Sequence, residues 1–278
     1  MAQRKAFTLI ELIVAMAVLA IVLSFAGLIF RVSIESHRMA LANAEIMQKL
    51  RVITGQLDTD FKGVILDYGG KNVARTRTYT VDGNDYAVNS DSVVFFASGD
   101  FQSTQQYGAS HDTIAGNVAA ILYGQPDPDS YDRVPAPRDT WLLRRQTILA
   151  SEAEVADSDP NGEYYATSLQ AWYAAGTHLE DLDAWIKPPL IDPHDVQANQ
   201  SMYLAKGVHN FTISYLEDGD EVGTEPIAWK RYVQGDEDDD SDTLTISPYV
   251  FKFTFTLYDS RGIIKNGRTF THIVYLGS

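Results

Sequence analysis

The densest set of possible metal ligands in the chain is an acidic run at residues 236–242. Its candidate calcium ligands are Asp236, Asp238, Asp240 and Asp242. Clustered carboxylate oxygens suit calcium, but an EF-hand loop starting at Asp236 would need glycine at Ser241 and glutamate at Ser247. Two interpretations therefore stay open: a solvated charged loop between strands, or a calcium site of another type.

Signatures of catalysis do not occur in the sequence. There is no HExxH, GxSxG, P-loop or GxGxxG motif, and no carboxylate pair stands out among the 37 acids. The histidines are scattered, and each is interpreted as an ordinary surface or core residue: His37, His111, His178, His194, His209 and His272. We therefore predict that the protein is not an enzyme.

Charge and cysteine content exclude further classes of function. The formal net charge is −15, and such a chain would repel a phosphate backbone, so we predict no nucleic-acid partner. The sequence has no cysteine, which excludes disulfides, thiolate metal sites and cysteine nucleophiles.

One acid, Glu11, interrupts an apolar run from Phe7 to Phe30. These 24 residues would span about 36 Å as a helix, enough to cross a bilayer core. An acid in such a helix costs roughly 2.5–3.5 kcal/mol near the bilayer centre, and less towards one end. Glu11 therefore needs an explanation that an ordinary membrane span does not give.

The basic residues around the run predict its orientation. Arg4 and Lys5 precede it and should stay in the cytoplasm, which places the rest of the chain outside. Arg31 and Arg38 follow the run and weaken this asymmetry. An ordinary transmembrane anchor is one interpretation. A secretory signal peptide is another, since residues 24–26 (Ser-Phe-Ala) resemble a cleavage site.

A third interpretation explains Glu11 together with its neighbours. The segment Lys5-Ala6-Phe7-Thr8-Leu9-Ile10-Glu11 resembles the processing site of type IV prepilins and pseudopilins. The resemblance covers about sixty residues and implies that prepilin peptidase cleaves between Ala6 and Phe7 and that Phe7 becomes methylated. Ala6 stands where the family usually has glycine, so we expect processing at a lower rate.

The resemblance also implies a role for Glu11 in assembly. A carboxylate in an apolar helix bundle is costly unless it is paired. In the family, the N-terminal amine of a neighbouring subunit is thought to neutralise this glutamate. The alternative is an acid that reaches the membrane surface. Loss of the leader would also remove Arg4 and Lys5, leaving a side-chain charge of −17.

The elements that carry these residues follow from periodicity. We predict a leader at residues 1–6, a transmembrane or filament-core helix at 7–30 and an amphipathic helix at 31–67. The helix should be continuous from about Thr8 to about Leu66, with Glu45, Lys49, Arg51, Gln56 and Asp60 on its polar face. Its apolar stripe is Met39, Ala42, Ile46, Leu50, Ile53, Leu57, Phe61 and Val64.

Residues 68–278 are predicted to form a β-rich head, so the fold class is α+β: a pilin-like long N-terminal helix packed on an antiparallel sheet region. Residues 150–205 interrupt the strand pattern and are predicted as an insertion with a short helix near residues 164–175. Turns are expected at residues 82–85 and 218–220. The predicted strands are 76–81, 92–97, 118–123, 141–149, 208–216, 227–233, 249–258 and 270–276.

Scattered features of the head resemble the J-class minor pseudopilins of type II secretion. They are Leu142-Leu143-Arg144-Arg145 in a strand, the strand at 208–216 followed by Trp229, and a strand from Pro248 that ends near residues 259–262. That resemblance implies a subunit at the tip of the pseudopilus with I- and K-class partners.

The sequence therefore predicts a non-catalytic assembly subunit, single-pass in the inner membrane with its head in the periplasm. Its expected partners are prepilin peptidase and, through the N-terminal helix, other pilin-like subunits. Three alternatives stay open: a minor pilin of a type IV pilus, a membrane-anchored binding or adhesive protein, and an anchored hydrolase.

Overall fold

The computed structural model describes residues 9–65, 70–73, 76–81, 84–107, 112–126, 136–149, 164–165, 170, 202–217, 229–231 and 248–276. Helix α1 spans Leu9–Lys62. The strands are β1 Gly70–Val73, β2 Thr76–Val81, β3 Asn84–Asn89, β4 Ser92–Tyr107, β5 Asp112–Gly124, β6 Trp141–Leu149, β7 Tyr164–Tyr165, β8 Tyr203–Lys206, β9 Val208–Glu217, β10 Pro248–Leu257 and β11 Arg268–Tyr275.

The strands in the described part of the chain form two sheets and a hairpin. The first sheet has the order β1-β4-β5-β6-β7, and β8 also pairs with β6; only the two-residue β6–β7 pairing is parallel. The second sheet is antiparallel in the order β11-β10-β9, and β2 pairs with β3. The predicted α+β class, with one long N-terminal helix before an antiparallel sheet region, is confirmed.

Helix α1 packs on both sheets through the stripe that its periodicity predicts. Ala42, Ile46, Ile53, Leu57 and Phe61 are buried, and Leu50 and Val64 are partly buried against the same core, whereas Met39 is exposed. The core joins this stripe to Phe95, Ile121 and Tyr123 of the first sheet and to Phe211, Phe253 and Phe255 of the second. Helix and sheets therefore share one hydrophobic core, as packed layers require.

Aromatic side chains concentrate where the helix meets the two sheets. The ring centroid of Phe61 lies 4.2 Å from that of Phe95 and 5.5 Å from that of Phe253. The opposite face of β4 and β5 is buried as well, since Val94, Phe96 and their neighbours on that face form a second hydrophobic cluster. Burial on both faces explains why residues 93–97 are continuously apolar rather than alternating.

The end of α1 depends on a close approach between two backbones. The helix ends at Lys62, a few residues before the predicted end near Leu66. The carbonyl oxygen of Gly63 then accepts a hydrogen bond of 2.7 Å from the Ser98 amide of β4. A Cβ atom at Gly63 would lie 2.3 Å from the Ser98 carbonyl oxygen, whereas one at Gly55 would meet nothing within 4 Å.

We expect the two glycines to respond in opposite directions to alanine. Gly63→Ala should lower the free energy of unfolding by about 1–3 kcal/mol, because the backbone of β4 must shift to admit the methyl group. Gly55→Ala should raise it by up to about 1 kcal/mol, since alanine is the better helix former. Denaturant titration of the two variants in detergent checks this, and a stabilising Gly63→Ala would contradict the observed contact.

Several predicted strands match the structure closely. Strands β2 and β6 have the predicted bounds, and β9, β10 and β11 differ from theirs by one or two residues at an end. Strands β4 and β5 extend well beyond the predicted segments. Of the predicted strand at 227–233, the described residues form only an isolated bridge between Lys230 and Tyr215.

Other predictions were wrong. Asn84 and Asp85, expected in a turn, begin strand β3, where Asn84 lies opposite Val81. Residues 70–73, where no strand was predicted, form β1, which pairs with β4. Tyr164 and Tyr165 form the short strand β7 instead of a helix, whereas Gln170, in the same predicted helical segment, is helical. Pairing with a neighbouring strand overrides local turn and helix propensity in these segments. Most of the predicted insertion at 150–205 and the predicted turn at 218–220 lie outside the described residues.

Candidate functional site

The N-terminal half of α1 is an exposed apolar surface. In the described part of the chain, none of residues 9–41 is buried, and large apolar side chains such as Leu9, Phe25 and Phe30 are 62–77% exposed. The helix is long and apolar enough to cross a membrane, with a mean hydropathy of 2.9 in its most apolar window. Such a patch far exceeds what a monomeric soluble protein leaves in water. This half must contact lipid or other apolar helices.

The exposed half is longer than a bilayer needs. Residues 9–41 rise about 50 Å along the helix axis, compared with a hydrocarbon core of about 30 Å. The apolar run ends at Phe30, and burial against the head begins at Ala42. About eleven residues of polar and apolar helix therefore separate the membrane-length segment from the packed segment.

Glu11 lies in the first turn of α1, and its side chain is exposed. A carboxylate at this place interacts favourably with the positive end of the helix dipole. Ala6 and Phe7, the predicted processing residues, lie outside the described residues. The roles of Ala6, Phe7 and Glu11 therefore stay predictions.

The packed half of α1 is fixed to the first sheet by a buried ion pair. Arg144 of β6 donates two hydrogen bonds to Asp60, from Nε to Oδ2 at 2.6 Å and from Nη2 to Oδ1 at 2.8 Å. The hydroxyl of Tyr123 in β5 donates to the same carboxylate. Asp60 is only 5% exposed. A bidentate pair of this kind is geometrically specific, so it sets both the rotation and the height of the helix on the sheet.

Burial and the negative charge of Asp60 raise the pKa of Tyr123 far above its ordinary value, so the phenol stays a hydrogen-bond donor. The position of Asp60 corrects a prediction, because the sequence placed this residue on the polar face of the helix. A charge on the seam between the apolar stripe and the polar face cannot be assigned from periodicity alone. Its partner Arg144 was singled out in the sequence, but only as part of a resemblance.

Glu45 and Lys49 also face the head instead of solvent. The Lys49 ammonium donates to the Tyr258 carbonyl oxygen at 2.8 Å and pairs with Glu45 at 2.8 Å. The Glu45 carboxylate accepts hydrogen bonds from the amide and hydroxyl of Ser260 at 2.9 and 3.0 Å. These contacts hold the β10–β11 connection against the helix.

A second buried acid joins the two sheets. Asp91, immediately before β4, is fully buried and accepts a hydrogen bond from the Ile213 amide of β9. Arg231 donates to both Asp91 oxygens, at 3.0 and 2.6 Å. Arg231 stands five residues before the acidic run in the sequence.

The predicted calcium ligands Asp236, Asp238, Asp240 and Asp242 lie outside the described residues, so calcium binding stays a prediction. Within the described residues, no group of three or more His, Asp or Glu side chains is arranged to hold a metal ion. His272 instead lies 2.8 Å from Asp58 of α1, and His209 packs edge-on against the ring of Tyr258.

The features of the head that resemble J-class pseudopilins have structural roles. Leu142 and Leu143 are buried, and Arg144 holds Asp60. Trp229 lies under the ammonium of Lys252, which is 4.1 Å from the ring centroid. These contacts explain why the residues are present without assigning a subtype.

Comparison with known proteins identifies the N-terminus. Residues 1–27 match the family model described as the prokaryotic N-terminal methylation motif. No curated protein and no solved structure matches the chain. The chain thus carries the methylation motif of prokaryotic prepilin-type proteins, on the segment that includes Ala6, Phe7 and Glu11. This motif implies processing by prepilin peptidase and assembly with other pilin subunits, and it favours a structural subunit over an enzyme.

Proposed function

We propose that this protein is a minor pseudopilin, a non-catalytic assembly subunit at the tip of a periplasmic type II secretion pseudopilus. Helix α1 inserts into the inner membrane with the head in the periplasm, and prepilin peptidase cleaves between Ala6 and Phe7. The mature chain, methylated at Phe7, then leaves the bilayer and packs α1 among the helices of other pilin-like subunits. Glu11 pairs with a neighbouring N-terminal amine.

One coincidence carries the proposal: the methylation motif at residues 1–27 opens the same helix that projects, unburied, from the head over residues 9–41. A motif for processing and a surface for helix packing occur on one element. If this segment were a signal peptide, its removal would leave the head without the N-terminal part of the projecting helix.

The charge of the chain supports a minor role. A net charge of −15 makes close stacking of many identical heads unfavourable, because like charges repel at short range. A subunit present once at a filament tip avoids this repulsion. A minor pilin of a type IV pilus would satisfy the same observations, so partner identity must separate the two.

The intact mass and N-terminal sequence of the chain recovered from its native membrane test the proposal. A start at methylated Phe7 is expected. A start at Gly27 would instead indicate a secreted protein. An intact Met1 would overturn processing, unless Ala6→Gly restores cleavage in a parallel sample. Restored cleavage would show that Ala6 itself prevents the peptidase from acting.

Crosslinking in the same membranes then separates the candidate machines. Co-purified proteins with their own methylation motif, together with secretion components, would support the pseudopilus. Co-purified pilus components would support the minor pilin. Recovery of a correctly processed chain without such partners would favour an anchored binding protein.

A further inference from the structure

The connection between β10 and β11, residues 258–267, lies where α1 leaves the head. Its first residues are bonded to the helix through Lys49 and Glu45. Farther along, Ile263 lines an open groove together with Phe30, Ile34 and Arg38 of α1. Since Phe30 is the last residue of the apolar run, this connection lies beside the end of the membrane-length segment.

The connection is held in one conformation by its own hydrogen bonds. The buried Asp259 carboxylate accepts from the amides of Ile263 and Ile264 at 2.9 and 2.8 Å. Gly262 and Gly267 adopt positive φ angles of 67° and 63°, which other residues rarely adopt. Burial alone would raise the pKa of Asp259. The hydrogen bonds that backbone amides donate to its carboxylate have the larger combined effect and lower the pKa, so the carboxylate stays charged. The backbone of the connection is therefore held in one conformation.

Basic side chains collect on this surface. Arg261, Lys265 and Arg268 are exposed, and none of the three forms an ion pair with a described residue. Arg31 and Arg38 are exposed on the neighbouring part of α1. We name these five residues the basal cationic patch.

The acids nearby offset the patch only in part. Glu45 is engaged by Lys49 and Ser260, and Asp259 is buried. Asp139, whose neighbour Arg138 lies against Gly262, is paired with Lys206. Glu35 is then the exposed acid between Arg31 and Arg38 on the helix. A local excess of positive charge in a chain of net charge −15 is a marked departure from its composition. Such a surface attracts anions.

The patch lies at the height of lipid headgroups once α1 is inserted. Arg31 directly follows Phe30, and Arg38 lies about 12 Å from Phe30 along the helix axis. The headgroup layer adds about 5–7 Å beyond the hydrocarbon core, and charges interact over about 8 Å at physiological salt. Arg31 enters the headgroup layer, and Arg38 lies within electrostatic reach of it. The connection that carries Arg261 and Lys265 contacts this same stretch of α1 through Ile263.

We propose that the basal cationic patch holds the head against anionic phospholipid headgroups of the membrane that α1 spans. This inference rests on the membrane-inserted stage of the proposed function and adds a lipid partner to it. Its position beside an exposed apolar helix favours a lipid surface over an acidic protein, since the membrane occupies that side of the head. Basic residues near an anionic surface each contribute about fivefold to such binding.

The test uses the full chain in vesicles of phosphatidylcholine alone or of phosphatidylcholine with phosphatidylglycerol. The chain has no cysteine, so Asn266→Cys, at an exposed position of the connection, carries one environment-sensitive fluorophore. Thr59→Cys, about 31 Å along the helix from Arg38, reports on the far part of the head. We expect a contact signal at position 266 only with phosphatidylglycerol, reduced as salt rises from about 0.1 M to about 1 M.

Two charge variants make the test specific. Arg261→Gln with Lys265→Gln should reduce the ratio of docked to free heads roughly thirtyfold. Arg51→Gln with Lys62→Gln changes the net charge equally at exposed positions of α1 above the patch and should change the ratio less than twofold. Arg31 and Arg38 are left intact because they also affect orientation in the membrane.

Three outcomes would overturn the proposal, and they differ from one another. A chain that does not insert into either vesicle also contradicts the proposed membrane anchor. If the chain inserts but gives the same signal with and without phosphatidylglycerol, the proposed lipid contact is contradicted and the proposed membrane anchor is not. A signal that rises with protein density in phosphatidylcholine alone assigns the patch to an acidic protein surface.

Discussion

Replacing Arg144 by methionine is expected to lower the free energy of unfolding by about 3–5 kcal/mol. Asp60, 5% exposed, would be left as a buried carboxylate without its cation, with the Tyr123 hydroxyl and the Gln56 side-chain amide as neutral donors. Removing one partner of a buried ion pair costs this much because the remaining charge has lost its solvation and gained nothing in return. Denaturant titration of the full chain in detergent, followed by tryptophan fluorescence, measures the change.

Two further variants interpret the result. Lys206→Met breaks the exposed pair with Asp139, whose side chains are 45% and 49% exposed, and should cost less than about 1 kcal/mol. Asp60→Asn combined with Arg144→Met removes both charges and keeps an acceptor for Tyr123, so it should recover much of the loss. If Arg144→Met were as mild as Lys206→Met, the carboxylate of Asp60 would have to be hydrated.

The helix could be predicted from the sequence because its pattern is long and redundant. Seven residues of the eight-residue stripe are buried or partly buried against the core, so the exposure of Met39 does not change the assignment of the buried face. Asp60 could not be predicted in the same way. Periodicity assigns a polar residue to the polar face, and only the partner on β6, far along the chain, makes its burial favourable.

Strands were predicted where alternation is strong and missed where pairing alone defines them. Strand β10 alternates apolar and polar residues, and its inward Phe251, Phe253 and Phe255 are buried. Strands β1 and β3 were missed because glycine, asparagine and aspartate, which local rules assign to turns, lie in them. Their pairing to β4 and β2 depends on contacts that no single segment encodes.

The candidate site also has a part that is local in sequence and a part that depends on residues far apart in the chain. A processing motif is local in sequence, so residues 1–27 could be identified without any structure. The rotation of α1 on the head, set by Asp60 and Arg144, and the basic surface at its base depend on residues more than 80 positions apart. Such arrangements become visible only when the strands are in place.

Replacing Glu11 by glutamine is expected to reduce incorporation of the chain into filament complexes by at least about a hundredfold. In the proposed assembly, Glu11 neutralises the N-terminal amine of a neighbouring subunit within an apolar bundle. Loss of one partner of such a pair costs about 3 kcal/mol or more, which corresponds to this factor. The yield of crosslinked, motif-bearing partners per recovered chain, quantified by mass spectrometry, measures the effect.

The matched control for this variant is Glu35→Gln, which changes the same charge at an exposed position of α1 beyond the apolar run. It should leave incorporation within about twofold, since surface charges contribute little. Both variants should still begin at methylated Phe7, which separates a defect in assembly from a defect in processing. Normal incorporation of Glu11→Gln would instead mean that Glu11 reaches the membrane surface, and that helix packing alone, through the exposed apolar half of α1, holds the subunit in the filament.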